Sequence, residues 1–315
     1  MNILSTLTRP EYLFQPSQIV RRILCELRPP RDEYEMVRLP WGAPIRIYPG
    51  ESQGSCIRRT GVHDLVTNEV IWRLLDPGEN AVDVGANIGH MTSVMAFRAG
   101  PQGKVVAVEP HPALFQELNF NVTMWGQMMS SAPIVARRLA LSNREGNARL
   151  GVPKGFSKNR GLCFLVSEGA AAESSASFYD VEATTLDRLL EPGQPDIGLL
   201  KMDCEGHELQ VLEGAGNLFA SGRIRDVVFE EHKPPPTPVT NLLEANGYSV
   251  FHLDGKLLGP VTAPIDKPYV RKIKDAPNYL ATLKPSRSKA RLAGRGWGVY
   301  SVGPFLIGSS RDKSR

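Results

Sequence analysis

Carboxylates at the ends of apolar runs, set beside glycines, are the residues of this chain whose types and spacing can do chemistry. In Ala81-Val-Asp-Val-Gly-Ala-Asn-Ile-Gly-His90 an apolar strand ends near Asp83, glycines follow at 85 and 89, and a helix begins. A turn of that kind lets backbone approach a ligand closely, and the helix start presents unpaired N–H groups. The dinucleotide fingerprint G-x-G-x-x-G is not met, because Ala86 and Asn87 follow Gly85, and there is no P-loop lysine. The remaining pattern, D-x-G-x-x-x-G, suits a ligand without phosphates whose ammonium group pairs with Asp83. A second strand, Lys104-Val-Val-Ala-Val-Glu109, also ends in a carboxylate. An acid there accepts hydrogen bonds from two ribose hydroxyls in dinucleotide folds. Asp83 and Glu109 flanking a glycine turn fit an adenosyl ligand that carries an amino acid, which is S-adenosylmethionine.

A third cluster follows in Leu199-Leu-Lys-Met-Asp203-Cys-Glu205-Gly-His207-Glu208. An apolar strand delivers acids to its C-terminal edge, where open α/β sheets bind ligands. Glu208 also has a plain reading, since an acid in a first helical turn complements the dipole. His207 is equally a substrate group or a surface helix residue.

These groups need a scaffold, and the pattern from residue 64 onward supplies one. Short apolar runs at 81–84, 105–108, 134–139, 197–202 and 227–229 alternate with helical periods at 67–75, 90–99, 112–124, 206–219 and 238–246. That alternation predicts a parallel sheet covered on both faces. Before it, residues 17–27 place Ile19, Val20, Ile23, Leu24 and Leu27 on one stripe, an amphipathic helix expected to pack against the domain. Residues 34–48 read as a hairpin turning at Trp41-Gly42, an accessory without chemistry. Residues 151–180 are small and polar and read as a flexible lid, and the basic stretch after Leu283 as a flexible linker.

The order Val82-Asp-Val-Gly-Ala-Asn-Ile-Gly89, Val108-Glu-Pro110, Ala140-Leu-Ser142, Thr185-Leu-Asp187 and Leu200-Lys-Met-Asp-Cys-Glu-Gly206 through Leu212-Glu-Gly-Ala215 resembles the FkbM family of methyltransferases over roughly residues 60–283. The resemblance implies a Rossmann-like class I methyltransferase fold, a seven-stranded mostly parallel α/β sheet with its last strand antiparallel. It implies S-adenosylmethionine as methyl donor and a hydroxyl acceptor on a sugar, glycan or natural product. By position, Asp83, Gly85, Asn87 and Gly89 would hold the methionine moiety, Glu109 the ribose, and Ala140 and Leu141 the adenine, with Asp203 and Glu205 facing the acceptor. Removing a hydroxyl proton requires a base within hydrogen-bond reach. Asp203, Glu205 and His232 are the candidates, and His232 is favoured because an imidazole titrates at about 6.5. A divalent metal held by Asp203, Glu205 and Glu230 or Glu231 is the alternative way to lower the hydroxyl pKa.

Composition narrows the field. The 315 residues carry 37 basic and 33 acidic side chains, net +4. Eight basic residues against Asp312 fall after Leu283, so the other 29 basic and 32 acidic residues leave the body at −3. The excess charge belongs to the tail, which weakens a nucleic-acid methyltransferase reading; a non-catalytic domain that binds S-adenosylmethionine is the other alternative. Four scattered cysteines without metal-ligand spacing point to a reducing compartment, and no run reaches membrane-spanning length, so a cytoplasmic location is expected. The expected division is a lead-in over 1–60, a methyltransferase domain over 61–284 and a basic extension over 285–315, with oligomeric state open.

Overall fold

The computed structural model describes residues 9–27, 33–166, 175–190, 195–266 and 277–301. The chain opens with α1 (Pro10–Leu13) and α2 (Ser17–Leu27), then the hairpin β1 (Glu35–Arg38) and β2 (Pro44–Ile47), α3 (Ser52–Thr60) and α4 (Leu65–Leu74). The alternating region begins with β3 (Asn80–Val84), α5 (His90–Ala99), β4 (Lys104–Val108), α6 (Pro112–Met128) and β5 (Ile134–Arg137). Next come β6 (Ala140–Leu141), β7 (Gly146–Pro153), β8 (Phe164–Leu165), β9 (Ser175–Thr184) and α7 (Leu186–Leu189). The remainder is β10 (Ile197–Met202), α8 (Glu208–Glu213), α9 (Gly216–Ala220), β11 (Ile224–Glu230), α10 (Pro238–Ala245), β12 (Ser249–Lys256), β13 (Gly259–Pro264), β14 (Asn278–Thr282) and α11 (Pro285–Leu292).

The main sheet runs β13-β12-β14-β11-β10-β3-β4-β5. Neighbours from β11 to β5 are parallel, and β14 lies antiparallel between β11 and β12. These are the seven strands expected, with the last in sequence antiparallel; β13 adds an eighth at the edge. Successive residues feed opposite cores: Ala81, Val105, Leu199 and Val228 enter one, and Val82, Val106, Leu200 and Val227 the other. Both faces are covered, which is why the strands are continuous apolar runs. From β3 the chain leaves to β4 on one side and returns through β10 on the other, so a topological switch point lies beside β3.

Several expectations are corrected. The run 134–139 ends as a main-sheet strand at Arg137, and Ala140 and Leu141 move to a second sheet of order β6-β9-β7-β8. That sheet takes in both ends of the segment read as a lid, with β7 and β9 paired antiparallel from Gly146↔Ala183 to Pro153↔Ser175, while residues 167–174 of that segment lie outside the described residues. Leu150, Val152, Val181 and Ala183 alternate into its small core. The helix read over 206–219 is two, because a Cβ on Gly214 would stand 2.1 Å from Ser142 O and the Asp187 carboxylate caps α9 through Asn217 N and Leu218 N.

The hairpin is no accessory: Leu39, Trp41, Ala43, Ile45 and Ile47 are all buried in the main core, and Trp41 Nε1 donates to Ser93 Oγ at 3.1 Å. After Leu283 there is no linker but α11, whose Arg287 pairs with Asp76 (2.8 Å) and Asp226 (3.2 Å) and whose Arg291 pairs with Asp76. Beyond it Trp297, Val299 and Tyr300 are buried, and Glu69 accepts the N–H groups of Gly298 and Val299. Arg311, Lys313 and Arg315 lie outside the described residues. Helix α2 forms as expected, but turns its apolar stripe to solvent.

Candidate functional site

The C-terminal ends of β3, β4, β10 and β11 meet at one edge of the sheet. There Gly85 N and Ala86 N both donate to Val108 O at 3.0 Å, and Asp203 N donates to Val84 O at 3.2 Å. Gly85 has φ +72°, and a Cβ on it would stand 1.9 Å from Asp203 O. Only a glycine lets the turns after β3 and β10 touch, which accounts for the first glycine of the motif. Gly89 has φ +92° and lies against Leu118 and Trp125, so its role is to admit α6 to the start of α5.

Beneath this edge lies a cavity of about 380 Å³. Gly85, Asn87, Glu109, Ala140, Leu141, Asp203, Glu205 and His232 all line it, bringing together residues up to 147 positions apart in sequence. Asp83 and Gly89 do not. The non-glycine residues with positive φ among the described residues are Asp64, Asn87 and Glu205, and all three stand in the cavity wall. Backbone strain of that kind costs on the order of 1 to 3 kcal/mol per residue and persists where surrounding structure enforces it, commonly at ligand sites.

Asp83 departs most from the sequence reading. Its carboxylate is fully buried; Oδ2 accepts the Thr92 hydroxyl at 2.6 Å and Oδ1 stands 3.2 Å from Lys201 Nζ. The ammonium it meets in this structure is that of Lys201. Lys201 also donates to Gly85 O at 3.1 Å and lies 3.8 Å from Asp203, fastening the glycine turn to β10. Burial lowers the Lys201 pKa, but Asp83 and Asp203 outweigh it and hold the amine above its ordinary value.

The acids that do line the cavity are hard to ionise. Burial pushes Glu109 up to about 7 although Oε1 and Oε2 accept the N–H groups of His111 (2.9 Å) and Asn87 (2.8 Å). Glu205 rises to about 7 through burial and then the charges of Asp203 and Glu208. Glu230 rises to about 9, first through burial and then through Asp203, with which it shares a hydrogen bond. His232 Nε2 lies 3.4 Å from Glu230 Oε1, with its side chain 58% exposed at the cavity mouth. Glu208 accepts the Cys204 N–H at 2.8 Å, fastening the turn that precedes α8. His207, whose pKa burial lowers, pairs with Ser142 Oγ at 3.0 Å across Nε2 and also lines the cavity. Among the described residues, no group of three or more His, Cys, Asp or Glu is arranged to hold a metal ion.

Sequence reasoning missed Lys201, His63, Asp64 and Asn278. Asp64 caps α4 through Thr67 N (3.0 Å) and accepts from Asn278 Nδ2 (2.8 Å), joining the α4 start to β14 across the mouth. A lysine inside the apolar run of β10 was the available signal for Lys201, because a buried cation demands a partner. No local pattern marks Asp64 or Asn278, whose roles depend on a contact between distant elements. The loop between β7 and β8 supplies Asn159, Gly161, Leu162 and Cys163 as the outer wall.

A family model described as the methyltransferase FkbM domain matches residues 83–250. The 31-O-demethyl-FK506 methyltransferase FkbM of Streptomyces tacrolimicus is 30% identical over 248 residues, 70% of this chain and 90% of that protein. The hexuronic acid methyltransferase AglP of Haloferax volcanii is 29% identical over 193 residues, 56% of this chain and 72% of that protein. Among solved structures, a methyltransferase FkbM from Methylobacillus flagellatus aligns with 64% of this chain and 43% of its own, at 13% identity and a TM-score of 0.40.

Proposed function

The chain belongs to the FkbM methyltransferase family, and from that premise we propose that it methylates a hydroxyl group of a sugar, glycan or natural product with S-adenosylmethionine as donor. The observation that carries this reading is the convergence of Gly85, Asn87 and Glu109 with Asp203, Glu205, Glu230 and His232 on one cavity. The relatives' names, a hexuronic acid methyltransferase and a demethyl-FK506 methyltransferase, support oxygen in a sugar or polyketide as the acceptor class.

The residues fit an adenosyl ligand. Each Glu109 oxygen already accepts one backbone N–H and keeps a lone pair, and two ribose hydroxyls would stabilise a carboxylate that burial otherwise disfavours. Asn87 and the Gly85 backbone would hold the methionine end, Ala140 and Leu141 the adenine. Asp83 would act from behind the wall, through Lys201 and the turn. The bound cofactor supplies an electrophilic methyl group; the chain supplies alignment and a place for the proton.

Near neutrality Glu230 holds its proton, because burial and then the neighbouring Asp203 raise it to about 9. In this reading Asp203 would accept the acceptor's hydroxyl proton as the acceptor oxygen takes the methyl group from the donor sulfur, and Glu230 would pass a proton on to His232, which would release it to water. His232 is then the solvent end of the base group, and Glu205 hydrogen-bonds the acceptor. General-base assistance of this kind is worth on the order of 10² to 10⁴ in rate.

The test is incubation with S-adenosylmethionine labelled in its methyl group and a panel of neutral sugars, uronic acids and hydroxylated polyketides. Label recovered as a methyl ether is the expected result. Tight cofactor binding without transfer to any hydroxylated acceptor would refute the reading in favour of a non-catalytic domain.

A further inference from the structure

Part of the cavity wall belongs neither to the cofactor residues nor to the base group. It is made where the start of α4 meets the start of β14: Asp64 Oδ1 accepts Thr67 N at 3.0 Å, Asp64 Oδ2 accepts Asn278 Nδ2 at 2.8 Å, and all three residues line the cavity. In the antiparallel ladder Asn278 stands directly opposite Glu230. Residues paired in this way share one face of the sheet, with Cβ atoms about 5 Å apart. Asp64 is therefore one hydrogen bond and one cross-strand step from Glu230 and its neighbour Asp203, where the acceptor's reacting hydroxyl is placed. Asp64, Thr67 and Asn278 all lie outside residues 83–250, so segments flanking the family domain build this part of the wall.

Hydrogen-bond sense and charge select what lies against it. Each Asp64 oxygen accepts one donor and keeps a lone pair, and a carboxylate only accepts, so the group beside it must donate. The cations of the cavity are already matched. Lys201 is held by Asp83 and Asp203; burial lowers the His63 pKa, but Cys56, Asp64 and Asp203 outweigh it and hold the imidazole above its ordinary value. His207, lowered by burial, is bonded to Ser142, and His232 stands beside Glu230. Among the described residues no arginine lines the cavity. A carboxylate on the acceptor would be desolvated opposite Asp64 and Asp203 without a spare cation, whereas a hydroxyl exchanges water for Asp64.

We propose, resting on the methyl transfer to a hydroxyl argued above, that Asp64 determines acceptor specificity: it accepts a second hydroxyl of the acceptor, and so selects an uncharged sugar and rejects a hexuronic acid. Asp64 touches the acceptor away from the reacting oxygen, so its contribution lies in acceptor affinity and not in the transfer step.

The test offers the full chain methyl-labelled S-adenosylmethionine with methyl hexopyranosides of gluco, galacto and manno configuration and the matching methyl hexuronides, each pair differing only in an exocyclic carboxylate. The wild type is expected to methylate a neutral member with kcat/KM about tenfold or more above that of its uronide partner. Asp64→Asn keeps a capping oxygen at the start of α4 and removes the charge. It should raise KM for the neutral sugar about tenfold, change kcat less than about twofold, and narrow the neutral-to-uronide ratio about threefold or more. Calorimetry should give it wild-type affinity for S-adenosylmethionine. A wild type that prefers a uronide, a KM and ratio unmoved by Asp64→Asn, or label that reaches hydroxylated polyketides but no sugar overturns the proposal while methylation of a hydroxyl stands. Label that reaches no hydroxylated acceptor at all removes that function, and this assignment with it. The wild-type ratio needs no variant, so it decides the point even if Asp64→Asn does not fold.

Discussion

Replacing Lys201 by methionine removes the cation that neutralises Asp83 while keeping most of the side-chain volume in β10. Asp83 Oδ1 stands 3.2 Å from Lys201 Nζ, the Asp83 side chain is wholly buried and that of Lys201 is 7% exposed. At an effective dielectric of ~20 the pair attraction is ~5 kcal/mol. Breaking a buried pair by removing one partner costs about 3–5 kcal/mol, because the remaining charge is stranded. Lys201→Met should therefore lower stability by about 3–5 kcal/mol, on the order of 10 °C in Tm for a domain of this size. Asp83→Asn strands the lysine less severely, since Asp203 lies 3.8 Å from it. The double variant Asp83→Asn/Lys201→Met should recover at least half of the lysine variant's loss, because no buried charge is left unpaired. Urea unfolding of the four proteins gives the coupling energy, and calorimetry with S-adenosylmethionine gives the affinity of each. If Asp83 met the ligand, Asp83→Asn would lose affinity with little change in stability, and the double variant would not regain it. Losses that simply add in the cycle, or an affinity defect confined to the aspartate, would overturn the account of Asp83 as a positioning residue.

Gly85→Ala places a Cβ 1.9 Å from Asp203 O at φ +72° and should cost about 3 kcal/mol or more. The control Gly42→Ala, at φ +91° with no atom within 4 Å, should cost only the ~1 kcal/mol of the left-handed backbone; urea midpoints compare them. Glu109→Gln should weaken S-adenosylmethionine binding about 10- to 100-fold through lost charge-assisted hydrogen bonds, and calorimetry showing unchanged affinity removes Glu109 from the ribose site. The Glu230 pKa is raised in the folded protein, so its stabilising contribution is full below about 4.5 and is lost as the pH climbs through about 9. Glu230→Gln should accordingly gain on wild type as pH rises from 5 to 9, reaching ~2 kcal/mol or ~5 °C after allowance for solvent screening. Melting curves at three pH values decide the point, and a constant difference would show that Glu230 does not titrate in that range.

The parallel sheet was legible because buried strands leave continuous apolar runs, and both edges of β10 and the whole of α5 follow from residue type alone. The second sheet was not, since its strands bury only one narrow face. Ser175 to Thr184 reads as small and polar until the alternation ending in Val181 and Ala183 is noticed. The candidate site divides in the same way. Gly85, Glu109 and Asp203 sit where strand ends announce them, whereas Asp64 and Asn278 meet only because α4 and β14 converge at the cavity mouth. Asp83 shows the limit of motif chemistry: its place beside the glycine turn was correct, but the cation it meets comes from 118 residues further along the chain.

The distribution of charge acquires a different meaning once the elements are placed. Arg287 and Arg291, which on the sequence belong to a free basic tail, are engaged with Asp76 and Asp226. Asp226 stands near the start of β11 and Glu230 at its end, four residues and about 13 Å along the strand. These cations thus act at the edge of the sheet opposite the cavity, separated from it by more than the ~8 to 10 Å over which charges are felt at physiological salt. Their work is to fasten α11 to the C-terminal end of α4 and the root of β11. They cannot draw an anionic acceptor to a cavity walled by Asp64, Glu109, Asp203, Glu205 and Glu230. On the proposed function, acceptor choice would fall among the described residues to that wall and to the loop from Asn159 to Cys163 facing it.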